Sequence, residues 1–195
     1  PYTEKLLLNP ALSGLNDCKE ININYKINSF EHLYSISYNQ KIEKYRSGAA
    51  FILLNNSQGN GIINNFKASA NYSFKILNEH NRILNAAIQV SYIQQNINSS
   101  GLIFSDQIDA INGILFPQSS EILFETYRSV DFTVGIAYLS KNYRAGISIY
   151  HIDKFVQNDM NFAPGPIIKL HFGKIFSVER IFENDLLLIP ELFYK

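Results

Sequence analysis

Stretch after stretch of this chain alternates strictly between apolar and polar residues. Ile21-Asn22-Ile23-Asn24-Tyr25-Lys26-Ile27-Asn28 does so, and so does Phe66-Lys67-Ala68-Ser69-Ala70-Asn71-Tyr72-Ser73-Phe74-Lys75-Ile76. A two-residue period puts every apolar side chain on one face of a strand and every polar one on the other. The polar faces carry Asn, Ser and Lys. In a soluble sandwich the apolar face turns into a core, whereas in a bacterial outer-membrane barrel it turns outward to lipid and the polar face lines a wet lumen.

Nine strands are expected, over 20–28, 31–40, 47–54, 63–76, 82–96, 129–139, 142–152, 166–176 and 185–194. The clearest hairpin joins Val130–Ile136 to Tyr143–Ile149 through the turn-forming Ser140-Lys141-Asn142. Helical periodicity is weak, with only Glu121–Tyr127 and Glu4–Leu8 as short candidates. Connections after the second, fourth, sixth and eighth strands read as short. Those after the third, fifth and seventh read as longer, at 55–62, 97–128 and 153–165. Short turns on one rim and long loops on the other describe an outer-membrane barrel, with the long loops outside the cell. The short Ser29–Phe30 connection departs from that rhythm.

Composition sharpens the choice. Lys plus Arg equals Asp plus Glu at 17 each, so the net charge of zero gives no electrostatic reason to expect nucleic acid. Charged residues are 17% of the chain, below the ~25% usual in soluble domains. Polarity comes from Asn, Gln, Ser and Tyr, which suits a lumen. No apolar run reaches the ~18 residues of a transmembrane helix, a criterion blind to barrels. Twelve Tyr and 14 Phe, against no Trp, supply rings near strand ends (Tyr25, Tyr34, Tyr38, Tyr92, Tyr138, Tyr143, Tyr194) for interfacial girdles. Cys18 is the only cysteine, which rules out an intrachain disulfide and reads as an inert thiol. No signal peptide is visible; for an exported protein, Pro1 would lie at or after a processing site.

Asn22, Asn24, Lys26, Lys67, Asn71, Lys75, Asn85, Gln89, Asp131, Arg144, Lys169 and His171 are expected to face the lumen. Their mixed signs suit mutual pairing in a filled barrel more than a single-sign ion filter. No catalytic constellation emerges, so neither enzymatic activity nor a cofactor or metal is expected. His32, His80, His151 and His171 lack ligand spacing. Ser105, Asp106 and His171 lack any nucleophile elbow. The glycines of Asn55–Gly61 lack the lysine step of a phosphate loop. Asp106, Asp109 and Asn112 miss the EF-hand pattern. The long connection 97–128 is apolar enough (Ile103, Phe104, Ile108, Ile111, Ile114, Leu115, Phe116) to fold into the barrel mouth. There it would serve as a constriction, a docking surface or a plug.

Three blocks in order carry a family resemblance. They are Leu7-Leu8-Asn9-Pro10-Ala11-Leu12-Ser13-Gly14, then Ile103-Phe104-Ser105-Asp106-Gln107-Ile108-Asp109 through Gly113, then Val130–Tyr138 followed by Ser140-Lys141-Asn142-Tyr143-Arg144-Ala145-Gly146. Together with Ile189-Pro190 and Tyr194-Lys195 they resemble the PorP/SprF family of the Bacteroidota type IX secretion and gliding-motility machinery. The stretch Tyr25–Phe30 departs from the family wording. The resemblance implies an all-β, antiparallel transmembrane outer-membrane β-barrel. Nine strands is an odd number, so the chain reads as part of a larger barrel.

By the same resemblance the protein would sit in the cell outer membrane, in contact with its lipid. It would hold the C-terminal domain of type IX-secreted surface adhesins and link to periplasmic, motor-associated secretion components. Residues 1–19 would form a segment on the periplasmic side, ahead of a barrel over 20–195. The partner-binding residues expected are Phe104, Ser105, Asp106, Gln107 and Asp109 on the long loop, with Asn9, Pro10 and Gly14 on the periplasmic rim. A small-solute channel and a soluble β-sandwich binding module are the alternatives.

Overall fold

The structure is a computed structural model that describes residues 5–79, 82–98, 108, 126–152, 165–174, 176–178, 186–188 and 191–194. It is an antiparallel sheet built from β1 (Glu20–Ile27), β2 (Glu31–Ile42), β3 (Ser47–Gln58), β4 (Ile63–Glu79), β5 (Arg82–Ile97), β6 (Thr126–Ser140), β7 (Tyr143–Tyr150) and β8 (Ile167–Lys174). Neighbours in sequence are neighbours in the sheet, so the architecture is an up-and-down meander. Two short strands, β9 (Phe176–Val178) and β10 (Leu186–Leu188), pair only with each other. Then β11 (Glu191–Tyr194) joins β8 as the ninth strand of the main sheet. Single 3-10 turns lie at Lys5–Leu7, Pro10–Leu12 and Glu43–Tyr45. The sheet curls into half a barrel, a shape consistent with an outer-membrane β-barrel.

Its two faces are inverted relative to a soluble protein. On the convex face Ile23, Phe66, Tyr72, Phe74, Ile88, Val134 and Phe172 are exposed. On the concave face Ser37, Asn71, Ser73, Asn85, Gln89, Ser91, Thr133 and Ser148 are buried. Tyr72 at 50% beside Ser73 at 1% shows the alternation acting one residue apart. Such a sheet is stable where its convex side meets hydrocarbon, and β4, β5 and β6, at 17, 16 and 15 residues, exceed the ~9–11 needed to cross a bilayer. Outer-face ring pairs mark both rims: Tyr25 with Tyr34 (centroids 4.7 Å apart) and Tyr143 with Phe172 (6.3 Å).

Eight of the nine expected strands form where the alternation puts them. The ninth, expected as one strand over 185–194, is two, and only Glu191–Tyr194 enters the main sheet. The connection after β3 is also shorter than expected. Asn55–Gln58 extend the strand, and the reversal is completed by Gly59, Asn60 and Gly61, all at positive φ (61°, 56° and 91°). Polar residues on both faces hid this extension, since period-2 contrast vanishes where neither side is apolar.

Candidate functional site

The concave face is not empty. The segment Lys5–Gly14 crosses it as a belt and touches β8, β7, β6, β5, β4, β3 and β2. It carries two 3-10 turns, and the second begins at Pro10, whose missing N–H costs nothing at a helix start. Asn9 caps that turn by accepting from the Ala11 amide at 2.9 Å.

At one end of the belt the Leu7 carbonyl accepts from Tyr150 Oη at 2.8 Å and from Lys169 Nζ at 3.0 Å. The Leu8 carbonyl accepts from Ser148 Oγ at 2.9 Å. The Asn9 amide then donates to the Ile136 and Ile147 carbonyls, both at 3.1 Å, tying the belt to a β6–β7 register pair. Asn85 Nδ2 donates to the Ala11 carbonyl at 2.5 Å and to the Ser13 carbonyl at 3.3 Å. Ser73 Oγ reaches the Ser13 carbonyl at 2.8 Å, and the Gly14 amide donates to Asn39 Oδ1 at 2.8 Å. Leu6, 3% exposed, packs on Ala50 and Ile52 to form the small apolar core of the concave side.

Three glycines make room for this passage. A Cβ on Gly135 would run into the Asn9 carboxamide and come within 3.1 Å of Pro10 Cδ. One on Gly146 would strike the His171 imidazole first, and would also stand 2.8 Å from Asn9 Nδ2. Gly48 meets Gly14, which itself adopts φ +65°, a conformation glycine enters without strain.

Toward the long-loop rim the belt gives way to a charged cluster. Asp131, 2% exposed on β6, has Lys67 Nζ 3.9 Å from Oδ2 and His151 Nδ1 3.1 Å from Oδ1. His151 reaches it from the end of β7 at φ 58°. Lys169 lies over the Tyr150 ring at 3.9 Å. Mixed charges thus pair across the concave face, as their distribution along the chain led us to expect. On the short-turn rim, the Lys41 ammonium hydrogen-bonded to Asp17 (2.5 Å) holds that exposed carboxyl below its ordinary range. Cys18 is exposed beside it.

Of the expected partner-binding residues, Asn9, Pro10 and Gly14 come together in the belt, buried and engaged by their own chain. Contact with another protein would require the belt to leave the sheet. Phe104, Ser105, Asp106, Gln107 and Asp109 lie outside the described residues. Of the residues expected in the lumen, Asn71, Lys75, Asn85, Gln89, Asp131 and His171 are buried on the concave face. Asn22, Asn24 and Lys26 share the concave side through their pairing with Ser37, Ser35 and Leu33. Sequence reasoning missed the belt contacts of Ser73, Ser148 and Tyr150. The available signal was glycine at 48, 135 and 146, where alternation calls for a polar inward side chain.

Neither the curated proteins nor the solved structures gave a match. A family pattern, that of the type IX secretion system membrane protein PorP/SprF, matches residues 2–195. That span covers the belt and every strand described above. The chain therefore belongs to the PorP/SprF family of type IX secretion membrane proteins.

Proposed function

We propose that the protein is a non-enzymatic scaffold of the outer membrane, which receives the C-terminal domain of a secreted adhesin on its long-loop rim and periplasmic secretion components on its short-turn rim. Membership of the family supplies the secretion context. The observation that carries the reading is the belt: its carbonyls engage inward-facing donors from one strand after another, so the interior is used for holding structure together rather than for passing solute. On the long-loop rim, the connection holding Phe104, Ser105, Asp106, Gln107 and Asp109 is the docking surface for cargo. On the opposite rim, the exposed Asn16–Lys19 stretch and the turns at Glu43–Arg46 and Ser140–Asn142 are what a periplasmic partner would meet.

Affinity purification from detergent-solubilised outer membranes tests this. The scaffold reading expects a surface adhesin and a periplasmic component to co-purify, with adhesin recovery lost in a Phe104→Ala/Asp106→Ala variant. Recovery of the barrel alone, together with large conductance in liposomes, would support a solute channel instead.

A further inference from the structure

The belt is bound as a receptor binds a peptide, not as a strand joins a sheet. Among the described residues, no backbone–backbone hydrogen bond links Lys5–Gly14 to any strand. Most of the contacts run from donors on sheet side chains to belt carbonyls: Tyr150 and Lys169 to Leu7, Ser148 to Leu8, Asn85 to Ala11 and Ser13. The Asn9 carboxamide and the Gly14 amide donate the other way. Donors aimed at carbonyls hold any polypeptide of suitable shape, so selectivity must come from elsewhere. It comes from three places. Ala50 and Ile52 form a notch for Leu6, the Ile136 and Ile147 carbonyls both read the Asn9 amide, and the trough at Gly135 and Gly146 closes on any larger side chain there.

We propose that the concave face is a peptide-binding trough selective for an Asn-Pro turn preceded by leucine, and that Lys5–Gly14 occupies it as a tethered ligand. The class of ligand is a short peptide of the pattern Leu6-x-x-Asn9-Pro10-Ala11. Covalent attachment gives the belt a high effective concentration, which keeps the trough closed to competing chains. The tether itself is the exposed stretch Asn16–Lys19, so it can be cut without disturbing a buried contact. The inference is independent of the adhesin reading, because it concerns the chain's hold on itself.

The test inserts a protease recognition sequence after Cys18 in the full chain and cleaves the folded, detergent-solubilised protein. The released segment should stay bound through gel filtration. It should exchange with a fluorescent synthetic peptide of residues 5–14, and at least about tenfold less with the same peptide carrying Asn9→Ala, since two part-buried strand carbonyls lose their donor. Immediate loss of the segment from a sheet that keeps its far-ultraviolet β signal would overturn the proposal, as would equal exchange by both peptides. Should cleavage unfold the sheet, the uncut Asn9→Ala full chain replaces it. The wild-type peptide should bind that variant and not the unaltered protein, and failure to bind there also overturns the proposal.

Discussion

Gly14 lies backbone against backbone on Gly48, so close that a methyl group on either would collide with the other's Cα. This contact seats the end of the belt on β3 immediately before the chain turns into β1. Gly48→Ala should therefore lower stability by about 1–3 kcal/mol, since neither backbone can yield without moving a strand. Gly14→Ala should cost more, because it adds the strain of φ +65°. Urea unfolding in detergent micelles, followed by loss of heat-modifiable gel migration, measures both.

Asn9 serves three roles with one carboxamide: it caps the Pro10–Leu12 turn and donates to β6 and β7. Asn9→Ala removes all three and should destabilise by about 2–4 kcal/mol. Asn9→Asp keeps the cap but turns a carboxylate toward the Ile136 and Ile147 carbonyls, so it should be no better. An Asp variant as stable as wild type would mean that the two inter-strand bonds contribute little.

Removing one partner of the Lys67–Asp131 pair leaves the other charge facing the concave interior. Asp131→Leu alone should cost about 3 kcal/mol, and adding Lys67→Met should recover much of that loss. A double-mutant cycle on the same unfolding assay reads the coupling directly. Additive costs would show that water or another group already serves the lysine.

Asp17 gives a pH signature. Its folded-state carboxyl titrates below the ordinary value because Lys41 is hydrogen-bonded to it. The pair's contribution is therefore fully present above the unfolded pKa, near pH ~4, and is lost as pH falls through the lowered folded value. The melting temperatures of wild type and Asp17→Asn should converge on acidification through that window. A constant difference from pH 7 to 3 would show that the pair is not coupled to folding.

The architecture could be read from the residues because the bilayer reading and the sheet reading rest on one quantity, the contrast between successive side chains. At Asn71-Tyr72-Ser73-Phe74 that contrast is complete, and the strand appears where it predicts. Where contrast fades, as at Asn55–Gln58, the strand runs on past the point where the alternation ends. The belt escaped for a different reason. Asn9 meets Ile136 and Ile147 across 127 and 138 residues, and no local periodicity encodes a contact of that range. Its trace in the sequence is indirect: glycines on inward-facing positions of β3, β6 and β7, together with an Asn-Pro pair that no strand uses.

The inside-out sheet predicts a graded response to charge on its convex face. Ile88→Arg, midway along β5 and paired with Tyr72, should cost about 2–4 kcal/mol in a bilayer. Glu79→Arg at the short-turn rim should cost at most about 1 kcal/mol. Equal costs at both sites would argue against a hydrocarbon-facing surface.

The most direct measurement uses the absence of tryptophan from the chain. A single Trp placed at Phe74 on the convex face, or at Leu54 on the concave face, reports its surroundings without background. In liposomes of brominated lipid the account predicts strong quenching of the Phe74→Trp protein and little quenching of the Leu54→Trp protein. An unquenched Phe74→Trp protein that stays in the aqueous fraction without detergent would contradict it.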